Sequence, residues 1–181
     1  KIEKNDGSVI VFDGTNVYAK GVKKEALAGA RFDIFTWSYF LGLPYKLNDN
    51  GTIWSDFNKK KWGAELLPSA KLSFSSNTGD APDDWYVVYK NAENVIAGAA
   101  YIVSFGKGKA AAEKEPHAIK YNTIENVDGI PFAKNWTFHM WSLNKGYGKQ
   151  IGEVQLSNIT FKNQLDFKIP EASVLVNLPK F

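Results

Sequence analysis

Apolar and polar positions alternate most regularly between Asn135 and Phe161, NWTFHMWSLNKGYGKQIGEVQLSNITF. From Trp136 to Leu143 the alternation sets Trp136, Phe138 and Met140 on one face of a strand and Thr137, His139, Trp141 and Leu143 on the other. Asn144, Gly146 and Gly148 interrupt it with residues that accept turn geometry, and Gly152 to Phe161 resumes it. Within that second strand the apolar positions run Val154, Leu156 and then Ile159, Phe161, a slip of phase at Ser157-Asn158 that a β-bulge would absorb.

The same reading along the rest of the chain predicts further short strands. Ser8 to Phe12 and Thr15 to Ala19 flank Asp13-Gly14 and read as a hairpin with a primed turn. Gly21 to Ala30 has helix-forming composition, but at that length a single turn or a loop suits it equally. Arg31 to Phe40 alternates and reads as a strand with aromatics on both sides. Tyr45 to Gly63 reads as a hairpin turning at Asn48 to Gly51, followed by strands at Leu66 to Ser75, Trp85 to Tyr89, Tyr101 to Phe105 and His117 to Ile124. Ser76 to Asp84, Asn91 to Ala100, Gly106 to Pro116 and Glu125 to Lys134 read as connections, the third a charged, mobile surface loop. A last alternation, Ala172 to Leu178, closes the chain on a strand that either completes its own sheet or is donated to a neighbour. The expected fold is therefore all-β, an antiparallel β-sandwich of jelly-roll type with little helix, in a single domain spanning residues 1–181.

Composition narrows the function classes. With 44% apolar and 14% aromatic residues the chain has ample material for a core. Its 22 basic and 19 acidic residues leave a net charge of +3, and Arg31 is the only arginine. Nucleic-acid readers depend on the bidentate arginine fork, so this balance argues against them. The most apolar stretch, Ile34 to Leu43, is about half of the roughly 20 residues a membrane span needs. The absence of cysteine excludes disulfides and thiolate chemistry. No signal-peptide pattern opens the sequence, so the expectation is a cytosolic protein or a processed, mature form. Asn50, Asn135 and Asn158 begin Asn-X-Ser/Thr triplets, the last of them in an expected strand.

Catalytic spacing is not visible. His117 and His139 lie far apart, and adjacent Asp83-Asp84 in one loop cannot flank a glycosidic bond. No cofactor is expected, and the one metal option is calcium on Asp80, Asp83 and Asp84. What the chain offers instead is aromatic surface beside hydrogen-bonding groups.

The succession NVIAGAAYIVSFGKGKA, NWTFHMWSLN and IGEVQLSNITF resembles the second half of the galactose-binding-like jelly rolls used by carbohydrate-binding modules. The likeness rests on Gly98 before the Tyr101 to Phe105 segment and on the phase break through Val154, Leu156, Ser157, Asn158, Ile159 and Phe161. That family often has acids where this chain has Ser157 and Asn158, so the resemblance implies no calcium site there. It implies a non-catalytic, secreted or cell-surface module that binds glycan or polysaccharide. Apolar sugar C–H faces stack on electron-rich rings while the hydroxyls seek polar neighbours. The candidate ligand-binding residues are Trp141, His139, Trp54, Trp62, Trp85 and Tyr86. The alternative is a structural subunit of an extracellular or viral assembly that self-associates through its terminal strands, and an enzyme on a jelly-roll scaffold ranks last.

Overall fold

A computed structural model describes residues 1–165 and 167–178; the remaining tail positions, Asp166 and 179–181, lie outside the described residues. In chain order the elements are β1 (Ile2–Glu3), β2 (Val9–Phe12), β3 (Val17–Lys20), a 3₁₀ turn (Lys24–Ala26), α1 (Leu27–Lys46), β4 (Thr52–Trp62) and β5 (Glu65–Phe74). They continue with β6 (Tyr86–Lys90), β7 (Ile96–Tyr101), α2 (Lys109–Ala112), β8 (His117–Val127), β9 (Ile130–Ser142), β10 (Gly146–Gln155) and β11 (Val174–Val176). Among the described residues all strand pairings are antiparallel and helix is confined to two segments and the 3₁₀ turn, so the expected all-β class with little helix is what forms. The chain divides into two compact units, residues 1–46 with 162–181, and residues 47–161.

The smaller unit carries a four-stranded sheet in the order β1-β2-β3-β11. The β2–β3 hairpin sits where the sequence placed it, but its turn is longer than a two-residue primed turn, since Phe12 pairs with Val17. Asp13 holds that turn by accepting the Thr15 and Asn16 N–H groups through Oδ1 at 2.8 and 2.7 Å. The tail strand β11 is shorter than the alternation suggested and completes the chain's own sheet, pairing Val176 with Val17.

The largest correction concerns Arg31 to Phe40, which is helical, as part of the 20-residue α1. Aromatics occupied both parities of that stretch, so its period-two pattern carried no information about a buried face. The helical spacing i, i+3, i+7 of Leu27, Ala30 and Ile34 is the one that packs, against Ile10, Val17, Ala19 and Val176. Burial of such side chains contributes about 1.5–3 kcal/mol each, enough to override weak local preference.

The larger unit is a seven-stranded meander in which every strand lies beside its sequence neighbours, β4 through β10. Several connections differ from expectation. Glu125 to Lys134 is no loop: β8 and β9 run into a two-residue turn at Asp128-Gly129, whose φ values of 51° and 85° are those of a type I′ turn. β7 begins at Ile96 and ends at Tyr101, so Tyr101 to Phe105 is not a strand. β10 stops at Gln155, and its bulges fall between Tyr147 and Gly152 rather than at Ser157-Asn158. Asn158 lies outside any strand, with φ 56°. Within the charged Gly106 to Pro116 segment, Lys109–Ala112 form the short helix α2, with Ala112 buried.

Strand twist and the bulges in β4, β7 and β10 roll this sheet until its outer strands meet at one end. A Cβ added to Gly146 of β10 would lie 2.6 Å from the Gly63 nitrogen and the Lys61 carbonyl oxygen beside β4. Gly63 in turn lies under the Tyr147 ring, where a Cβ would approach Cζ to 2.8 Å. Two glycines thus permit the close approach of the outer strands.

Candidate functional site

Strand register decides which side chains share a face. Tracing the pairs across the larger sheet puts Trp62, Leu67, Tyr89, Val87, Gly98, Ala100, Ala118, Lys120, Thr137, His139, Trp141 and Tyr147 on one face. On it, Trp62, Val87, Tyr89, Ala100, Ala118 and Trp141 form a buried cluster, bordered by Leu67, Trp85, Ala97 and Tyr147. Alanine at 100 and 118 and glycine at 98 leave room for the large rings. The Trp62 ring lies over Gly98, where a Cβ would come within 2.6 Å of it and 2.2 Å of the Ile119 carbonyl oxygen.

The rings form a continuous series. Trp85 meets Trp141 edge-on at 6.1 Å, and the Trp141 indole N–H donates to the Tyr89 hydroxyl at 3.2 Å. Tyr89 stacks on Trp62 at 4.3 Å, Trp62 meets Tyr147 edge-on at 5.0 Å, and Tyr147 lies 5.0 Å from the His139 ring. Burial pushes the Tyr89 phenol up to about 12, with the Trp141 N–H pulling the other way.

His139 has both ring nitrogens engaged, Nδ1 with the Gly148 carbonyl at 2.8 Å and Nε2 with Thr137 Oγ1 at 3.0 Å. A carbonyl can only accept, which assigns the proton to Nδ1 and makes Nε2 the acceptor of the Thr137 hydroxyl. Asn122 Nδ2 donates to Thr137 Oγ1 at 3.2 Å and to Asn135 Oδ1 at 3.1 Å, extending the network across β8 and β9.

At one end of the series lies a partly open cleft of about 190 Å³. Trp62 and Tyr147 supply aromatic walls, Leu67, Val95, Ile96, Ala97 and Ile124 supply aliphatic ones, and Tyr121 borders the cleft from a strand position facing the other side of the sheet, where its ring packs on Trp136. Glu65, Asn91 and Lys120 are its polar members. Asn91 Oδ1 is occupied by the Val95 N–H at 2.9 Å, so its amide NH₂ is the group left to offer. The Lys120 ammonium is held 5.2 Å above the Tyr147 ring.

The six residues expected to bind ligand are thus dispersed. Trp62 lines the cleft although only 4% of it is exposed; Trp141 and His139 share its face and are buried too, at 8% and 7% exposure, because small residues on β7 and β8 admit them to the core. Trp85 is half-buried and donates through Nε1 to Glu113 Oε1 at 3.1 Å. Trp54 and Tyr86 belong to the opposite face, Trp54 donating to the Leu47 carbonyl at 3.1 Å and Tyr86 lying buried beside Phe74 and Tyr101. Trp141 is therefore not a surface platform.

Sequence reasoning missed Tyr147, Lys120, Glu65 and Asn91. A signal existed for Tyr147, which stands between Gly146 and Gly148 where the backbone must approach another strand. Lys120 is two positions from Ala118 in an alternating strand and so had to share its face.

Asp84, one of the acids considered for calcium, accepts the Ser104 N–H at 2.6 Å, and desolvation holds its carboxyl above the usual range. Among the described residues no group of three or more His, Asp or Glu is gathered for a metal. No helix of the described residues is long and apolar enough to cross a membrane. No family model, curated protein or solved structure matches the chain.

Proposed function

We propose that the protein is a binding protein that receives one sugar ring of a glycan in the cleft between Trp62, Leu67 and Tyr147, and that it works where glycans are met, outside the cell or at its surface. The observation that carries this reading is the make-up of the cleft: aromatic and aliphatic walls joined by three hydrogen-bonding side chains, Glu65, Asn91 and Lys120. A sugar ring needs that combination, an apolar wall for its C–H face and both acceptors and donors for its hydroxyls. At about 190 Å³ the space suits one ring and falls below the roughly 300–1,000 Å³ of sites for larger ligands.

One ring held by one or two aromatic contacts and a few hydrogen bonds binds with a Kd on the order of millimolar to micromolar. Calorimetric titration of mono- and oligosaccharides to millimolar concentration measures it. Tyr147→Ala removes a wall, and Leu67→Trp fills the space from β5. Both are expected to weaken binding about ten-fold or more, with the thermal midpoint recorded as the check on folding. Absence of binding by every sugar, or binding untouched in folded Leu67→Trp protein, overturns the assignment.

A further inference from the structure

The charge distribution in the cleft goes a step further, and it rests on the glycan reading above. Lys120 is half-buried in the middle of β8, paired across the sheet with Gly98 on one side and Thr137 on the other. A few lysines of the chain have carboxylate partners: Lys4 with Asp33 at 2.6 Å, Lys60 with Asp56 at 2.9 Å and Lys134 with Glu125 at 2.8 Å. Lys120 makes no ion pair among the described residues, and its ammonium lies over the face of Tyr147, 5.2 Å from the ring centre. A partly desolvated ammonium among apolar walls is costly unless an anion completes it.

Glu65 lines the same cleft but is exposed, so its carboxylate keeps its water and is screened by salt. The cation is the charge felt inside, and the carboxylate at the mouth is placed to accept a hydroxyl. We propose that the cleft selects acidic sugars, with the Lys120 ammonium as the anchor for the ring carboxylate of a uronic acid. Such a contact joins two opposite charges through a hydrogen bond, whereas a plain sugar offers the ammonium only a neutral hydroxyl.

The test compares glucuronic acid, its methyl ester and glucose, titrated against the whole protein at low salt and again at high salt. The ester keeps the shape and removes the charge. Glucuronic acid is expected to bind about ten-fold or more tightly than the other two, with the advantage shrinking at high salt. Lys120→Met, which keeps the aliphatic stem, is expected to abolish that advantage, so that within this variant glucuronic acid binds no more tightly than its ester or glucose, and Lys120→Arg to retain most of it. Equal affinity for all three sugars overturns the charge selection and leaves the cleft assignment standing. Binding by none of them overturns both. An advantage that persists in Lys120→Met protein, shown to be folded by its thermal midpoint, overturns the role of Lys120.

Discussion

The hydrogen bond from Trp141 to Tyr89 joins the two halves of the aromatic series, and its worth can be isolated. Tyr89 is fully buried and Trp141 nearly so, so neither polar atom can turn to water when the other is removed. Tyr89→Phe deletes the hydroxyl and strands the indole N–H. A buried group left unsatisfied costs about 1–3 kcal/mol, and the 3.2 Å separation points to the lower end, about 1 kcal/mol. For a chain of this length that lowers the thermal midpoint by about 2–4 °C. Trp141→Phe strands the hydroxyl instead and also empties part of the indole site, so it costs about 1–2 kcal/mol more than Tyr89→Phe. In the double variant both polar atoms are gone, and the loss is expected to be about 1 kcal/mol smaller than the sum of the single losses.

Denaturant unfolding of the four proteins at pH 7 measures the cycle. Alkaline titration supplies an independent reading: the folded state keeps the Tyr89 proton up to about 12, whereas the unfolded chain releases it near 10. This contribution is complete below pH 10 and is lost as pH rises through 12, so the advantage of the natural protein over Tyr89→Phe shrinks across that window. Single losses that add to within about 0.5 kcal/mol, or an advantage unchanged between pH 9 and 12, would refute the reasoning.

Gly98→Ala places a methyl group 2.2 Å from the Ile119 carbonyl oxygen and 2.6 Å from the Trp62 ring, and is expected to cost about 1–3 kcal/mol or more and to alter tryptophan emission; a midpoint within 1 °C of the natural protein's would contradict the close packing. Asp84→Asn is expected to stabilise the protein at neutral pH, because desolvation raises the folded-state carboxyl above its unfolded value and stability is therefore lost as pH rises through that range. The gain should fade below about pH 4, and thermal midpoints of both proteins from pH 3 to 7 test it.

Local pattern revealed structure wherever one face of an element was plainly apolar. The hairpin around Asp13-Gly14 and the strand through Leu72 were legible for that reason, and the strand from Tyr86 to Tyr89 as a short continuous apolar run that is buried on both faces. α1 was not, because Phe32, Phe35, Trp37 and Phe40 satisfy either period, and the deciding contact, Ile34 with the sheet that Val176 completes, joins distant parts of the chain. The Asp128-Gly129 turn was legible in principle, yet Pro131 beside it argued for a loop, and only the pairing of Pro131 with Asn126 shows the strand continuing. Most of the cleft was hidden for another reason. A tryptophan in a sequence looks like a platform whether or not small residues opposite it open the core, and Ala100 and Ala118 are what turned Trp141 inward.

The two units also differ in when they can be completed. In the meander each strand pairs with the one made just before it, so a chain leaving the ribosome can add β5 to β4, then β6 to β5, and so on to β10 as each emerges. The smaller sheet cannot finish that way, since β3 and α1 are made early while β11 follows the whole of the larger unit. Until Val176 arrives, Val17 and Ala19 lack their edge partner, and the nascent smaller unit presents an unpaired strand to whatever factors attend the exit tunnel.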